Sequence, residues 1–174
     1  MSPTRCLAAG VLTVLLATVA VWQAAAAPSE VIGRFSDWIA LRHKAGGQVF
    51  CFAMSKPTAM EPAGVKRGVP HIYVSAWPKD GIRTEFSVKG GYRFKKNTAV
   101  QVTIGTATFQ LFARNDRAFV RNPTEELKLI EAMKKGSRMT VKGVSEQGTG
   151  TTDSYSLIGL SQALQELASG CRKT

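Results

Sequence analysis

The stretch Thr151–Cys171, TTDSYSLIGLSQALQELASGC, passes from an extended polar segment into an amphipathic helix and ends on a cysteine. Ser156 is suited to cap a helix running from Leu157 to about Ala168. Leu157, Leu160, Leu164 and Leu167 recur at three- and four-residue spacing, so one face of that helix is buried. Gly170 marks its end and Cys171 follows at once. Of the three cysteines, Cys6 lies near the N-terminus and Cys51 is the other candidate partner.

The N-terminus sets the compartment. Arg5 precedes an uncharged apolar run from Cys6 to Trp22, and Ala24 to Ala27 supply small residues before Pro28. That is the layout of a signal peptide over residues 1–26, cleaved after Ala26. The alternative is an uncleaved anchor, for which the apolar run is marginal against the ~20 residues a span requires. Residues 28–174 then form one domain, with no transmembrane span after cleavage. In an oxidising compartment two cysteines tend to pair, so Cys51 and Cys171 are expected to form a disulfide. By loop entropy, such a bridge closing roughly 120 residues contributes about 4–5 kcal/mol. Two buried free thiols are the alternative.

Between the termini the pattern is mostly of period two. Phe35–Leu41 reads as a first strand and Val49–Ala53, around Cys51, as a buried central one. Lys56–Pro70 has no periodicity and three prolines, which reads as a long loop. His71–Trp77 and Ile82–Lys89 alternate around Pro78-Lys79-Asp80-Gly81, a hairpin with Ile72, Val74 and Ala76 on one face of the first strand and Ile82, Thr84, Phe86 and Val88 inward on the second. Tyr73, Ser75, Trp77, Arg83, Glu85, Ser87 and Lys89 then face outward. Ala99–Ile104 and Ala107–Ala113 form a second hairpin around Gly105-Thr106, and Ala118–Arg121 is a short strand. Asn122, Pro123 and Glu125 open a helix over 123–135 with Leu127, Ile130 and Met133 as its apolar stripe and Gly136 beyond its end. Arg138–Val144 alternates again. Strands in hairpins with only two helices, and no βαβ rhythm, predict a mainly β fold: an antiparallel β-sandwich with two peripheral helices, about 123–135 and 157–168.

No residue pattern points to a reaction. The two histidines, His43 and His71, lack the companions of a metal site. A Cys51–His nucleophilic pair requires a free thiol in a strand that reads as core. Glu125 and Glu126 are adjacent on a helix and do not converge; they match its dipole. The expectation is therefore no enzyme, no metal and no cofactor. The formal net charge is +11, one less without Arg5. In an exported chain that favours anionic envelope or host-surface components over nucleic acid. Arg83, Lys89, Arg93, Lys95 and Lys96, interleaved with Tyr92 and Phe94, are the candidate anionic-ligand patch.

Several strings occur together: Phe35-x-Asp37-Trp38, Val49-x-Cys51-Phe52-Ala53, Gly91-Tyr92-x-Phe94-Lys95, Ala132-Met133-Lys134-Lys135-Gly136-Ser137, Val141-Lys142-Gly143, and Thr151-Thr152-Asp153-x-Tyr155-Ser156-Leu157-x-Gly159-Leu160. In these the chain resembles the invasion-associated locus B family of alphaproteobacteria, over nearly its whole mature length. The resemblance implies an exported protein of the periplasm or cell envelope, an immunoglobulin-like β-sandwich, no known catalytic residues, and an accessory or binding role in host-cell interaction. The second reading is a periplasmic binding or chaperone-like module for anionic envelope components. Many members carry a further cysteine soon after the tryptophan motif; here that region reads Ala40-Leu41-Arg42-His43, which leaves Cys51 for Cys171. The terminal stretch then acts as a clasp, and a binding surface lies elsewhere.

Overall fold

A computed structural model describes residues 29–171; the signal-peptide reading, Cys6 and the basic end at Arg172–Thr174 fall outside them. Eleven strands follow in order: β1 Glu30–Phe35, β2 Trp38–Ala45, β3 Gln48–Ser55, β4 Ala59–Glu61, β5 His71–Trp77, β6 Ile82–Lys89, β7 Ala99–Ile104, β8 Ala107–Arg114, β9 Arg117–Phe119, β10 Arg138–Val144 and β11 Gly150–Ser156. Helix α1 spans Pro123–Lys135 and helix α2 Leu160–Gly170. All pairings are antiparallel, in the order β1-β2-β3-β5-β6-β9-β8-β7-β10-β11-β4. The fold is thus mainly β with two helices, as expected. The ladder curls back on itself, so that Trp38 on β2, second from one edge, donates its indole N–H to Ser156 O on β11, second from the other.

The inward residues of both halves make one core. Trp38, Ala53, Ile72, Val74 and Phe86 come from one half and Val100, Val102, Leu111, Met139 and Tyr155 from the other. α1 starts as expected: Asn122 Oδ1 accepts from the N–H groups of Thr124 and Glu125. Its buried residues are Leu129, Ile130 and Met133, while Leu127 of the expected stripe is exposed. Gly136 ends it in extended backbone, φ −87°, not in the left-handed conformation. β9 pairs with β6 only from Ser87 onward, so Phe86 N–H has no strand partner on that side. Glu126, one turn into α1, accepts it at 2.5 Å.

Four readings need correction. Phe35–Leu41 is not one strand: Ser36, at φ 49°, turns the chain between β1 and β2. Val49–Ala53 is not buried on both faces, because Phe50 and Phe52 point outward and are half-buried. The long loop contains β4, which pairs with Thr152–Ser154 of β11. Helix α2 starts at Leu160 rather than Leu157. Ser156 Oγ accepts Ile158 N–H, Leu157 N–H goes to Ser137 O, and Gly159 enters the helix at φ 94°. A Cβ on Gly159 would lie 2.0 Å from Phe35 O, so the close crossing of the two segments requires glycine.

At the other end of α2, Cys171 and Cys51 are bonded, with Cα atoms 5.8 Å apart. Leu160, Ala163 and Leu167 bury the helix against β1, β2 and β3. No helix among the described residues is long and apolar enough to cross a membrane.

Candidate binding face

Alternation along each strand leaves one face of β2-β3-β5-β6-β9-β8 looking outward. It carries a run of neighbouring aromatic rings. Trp77 and Phe50 have ring centroids 4.8 Å apart, His43 and Phe50 5.0 Å, and Phe50 and Phe52 5.9 Å. Phe52 and Tyr73 lie 6.0 Å apart, as do His71 and Tyr73. Phe119 packs beside Phe112 at 5.7 Å. The rings are half-buried against one another and the sheet, within reach of the favourable offset and tilted arrangements. Between them lies an open depression of about 590 Å³ with Ser75, Ser87, Glu85, Met54 and Arg117 also on its walls.

Strand register then builds a second feature along the end of this platform. His71 is paired with Lys89, Lys89 with Arg117, and Arg117 with Arg114. Four basic-type side chains from β5, β6, β9 and β8 therefore form one cross-strand row. Like charges directly opposite one another destabilise a sheet. Among the described residues Lys89, Arg114 and Arg117 have no carboxylate at ion-pair distance. Arg117 instead lies over the Tyr73 ring at 5.2 Å, joining row to platform. Burial lowers the His71 pKa and raises that of Tyr73, so both stay neutral at pH 7.

The expected patch is distributed differently. Arg83 and Lys89 sit six residues apart on β6, about 20 Å along the strand, and the Arg83 side chain lies outside the described residues. Lys89 and Arg93 share a shallow cleft of about 490 Å³ with His71, Asn115 and Asp116. Arg93 is engaged there, with Glu146 at 3.2 Å and Asn115 Oδ1 at 3.2 Å. Lys95 and Lys96 are exposed on the next turn, where Lys95 N–H bonds Val144 O beside β10. Of the patch, Lys89 alone belongs to the cationic row. Proximity in sequence missed Phe50, Phe52, Tyr73, Trp77, Arg114, Arg117 and Phe119 as a set. The alternation in QVFCFAMS was the available signal, since it separates Phe50, Phe52 and Met54 from Cys51 and Ala53.

The groups considered for chemistry are occupied otherwise. Cys51 is in the disulfide, His43 Nδ1 meets Ser29 Oγ at 3.1 Å, and His71 Nδ1 meets Val69 O at 3.0 Å. Glu125 pairs with Lys128 at 2.7 Å. Among the described residues no three His, Cys, Asp or Glu side chains gather as a metal site.

The model of the invasion-associated locus B family matches residues 42–168 of this sequence. The chain belongs to that family. The match runs from β2, across the platform, through α2 almost to Cys171. The crystal structure of invasion-associated protein B from Bartonella henselae aligns with a TM-score of 0.57 at 14% identity. That alignment covers 82% of this chain and 96% of the Bartonella chain. At that identity the likeness is one of fold. A comparison with curated proteins returns no match.

Proposed function

We propose that this chain is an exported, non-enzymatic protein of the bacterial envelope that acts as a binding factor in host-cell interaction, with the outer aromatic face as its partner surface. The observation that carries this reading is the face itself. Trp, Tyr, Phe, Met and Arg are the residues enriched at interface cores, and Trp77, Tyr73, Phe50, Phe52, Met54 and Arg117 converge there. Leaving these rings half-exposed forgoes part of the burial that a core position would give them. The family's name supports the host-directed part, and the apolar run before Pro28 supports export.

The second reading, a periplasmic module for anionic envelope components, draws on the row His71, Lys89, Arg117 and Arg114. One strain set separates the two. The gene is deleted and restored with wild type, with Phe52→Ala plus Tyr73→Ala, or with Lys89→Glu plus Arg114→Glu. Envelope integrity and host-cell entry are measured on every strain. The ring variant is expected to lose entry while keeping envelope integrity. Full entry by the ring variant, at wild-type protein level, contradicts the proposal. An envelope defect without an entry defect favours the second reading.

A further inference from the structure

Resting on the reading of the aromatic face as the partner surface, we infer that its ligand is an anionic carbohydrate. Its sugar rings lie on Phe50, Phe52, Tyr73 and Trp77, and its acidic groups meet the row of Lys89, Arg117 and Arg114. Three observations converge on this chemistry.

The four rings form one continuous aromatic patch. Phe50 and Phe52 stack within 28° of parallel, Trp77 is tilted by 53° to Phe50 and Tyr73 by 54° to Phe52, and each ring is half-buried. Aromatic ring faces carry negative π density, which attracts the slightly positive C–H face of a pyranose as it does the edge of another ring.

Polar groups are set among the rings. Ser75, Ser87, Glu85 and Arg117 line the same depression as the aromatics, with His43 and Ser29 at its rim. Glu85 has no ion-pair partner among the described residues. Covering it with an apolar protein surface would bury an unpaired carboxylate, which is costly. A ligand rich in hydroxyl groups supplies donors to it and leaves the neighbouring hydroxyls satisfied.

Charge lies to one side. The charged row crosses three strands, about 10 Å, at the end of a platform about 20 Å long. Asp116 shares a cleft with Lys89, and Glu85 lines the same depression as Arg117. Arginine forks recognise carboxylate, sulfate and phosphate oxygens in pairs, so a polymer with acidic groups along or beside its rings matches both features.

The test is an NMR titration of the exported chain with its disulfide intact. The probes are a sulfated uronic-acid oligosaccharide, the same oligosaccharide desulfated and carboxyl-reduced, inorganic sulfate, and vesicles containing anionic phospholipid. The acidic oligosaccharide is expected to shift the ring resonances of Phe50, Phe52, Tyr73 and Trp77 and the side chain of Arg117. Phe52→Ala is expected to weaken binding about tenfold. Arg117→Gln, which leaves the rings in place, is expected to weaken it and to flatten its salt dependence. The neutral oligosaccharide should bind the same rings more weakly. Shifts confined to Arg93, Lys95 and Lys96, equal effects from inorganic sulfate, or binding to vesicles alone overturn the inference. If no oligosaccharide binds but the ring variant still fails in entry, the carbohydrate assignment falls and the partner-face reading survives.

Discussion

Arg67 and Asp153 form a two-pronged ion pair inside the protein, their side chains 4% and 5% exposed. Arg67 Nη1 reaches Asp153 Oδ2 at 2.9 Å, and Nη2 bonds Oδ1. The pair ties the Pro-rich segment before β5 to β11, whose Thr151 hydroxyl meets Tyr92 at 2.5 Å nearby. Removing one member of a buried pair leaves the other charge without a partner. Asp153→Ala is therefore expected to cost about 3–5 kcal/mol in denaturant unfolding. Arg67→Met with Asp153→Leu should cost less than Asp153→Ala alone. Equal losses from the single and double variants would show that the charges are not the reason.

The bridge between Cys51 and Cys171 closes a sequence separation of 120 residues. Loop-closure entropy places its contribution at about 4–5 kcal/mol. Cys51→Ala with Cys171→Ala should lower the guanidinium midpoint accordingly. Amide exchange should rise first in α2, which loses its covalent tie to β3.

At Gly159 the clasp is held by a backbone crossing. Gly159→Ala meets both a positive φ and the oxygen of Phe35, whereas Gly105→Ala meets a positive φ of 57° with open space around the new methyl. The turn variant is expected to cost about 1–2 kcal/mol and the crossing variant clearly more. Comparable urea midpoints for the two would contradict the contact described.

Much of this was legible in the sequence. The two central hairpins follow from unbroken alternation and good turn chemistry, and α1 follows from Asn122-Pro123. β1 was hidden because its register shifts between Val31 and Gly33, which breaks the alternation. β4 is only three exposed residues and has no burial pattern to read. The start of α2 was misplaced because Leu157 is apolar for a different reason: it is buried beside the helix, not in it. The aromatic face was half-legible. Alternation gave the outward residues of β5 and β6, but joining them to Phe50, Phe52, Phe119 and Arg117 requires the strand order, which is non-local. Of the expected basic patch, Arg83 and Lys89 are separated because they lie toward opposite ends of β6, while Lys89 and Arg93 share one cleft.

Burial pushes the His71 imidazole below its ordinary value. Its contact with Val69 O opposes this, and Lys56 and Lys89 add to the lowering. A base with a depressed folded pKa binds fewer protons folded than unfolded. Stability therefore rises with pH from the depressed value up to the ordinary ~6.5. Thermal unfolding of wild type and His71→Gln between about pH 8 and pH 5 checks the sign. Wild type should lose ground to the variant as pH falls. A gap that stays constant or moves the other way would exclude a buried neutral His71.

The most direct test of the central claim places a photoreactive benzoylphenylalanine at Phe52, at Tyr73, or at exposed Lys142 on β10, in protein exported by living cells. Irradiation is followed by separation of covalent adducts. Adducts from positions 52 and 73, and none from 142, are the predicted result. Adducts from 142 alone, or equally from all three positions, would contradict the assignment of the aromatic face as the partner surface.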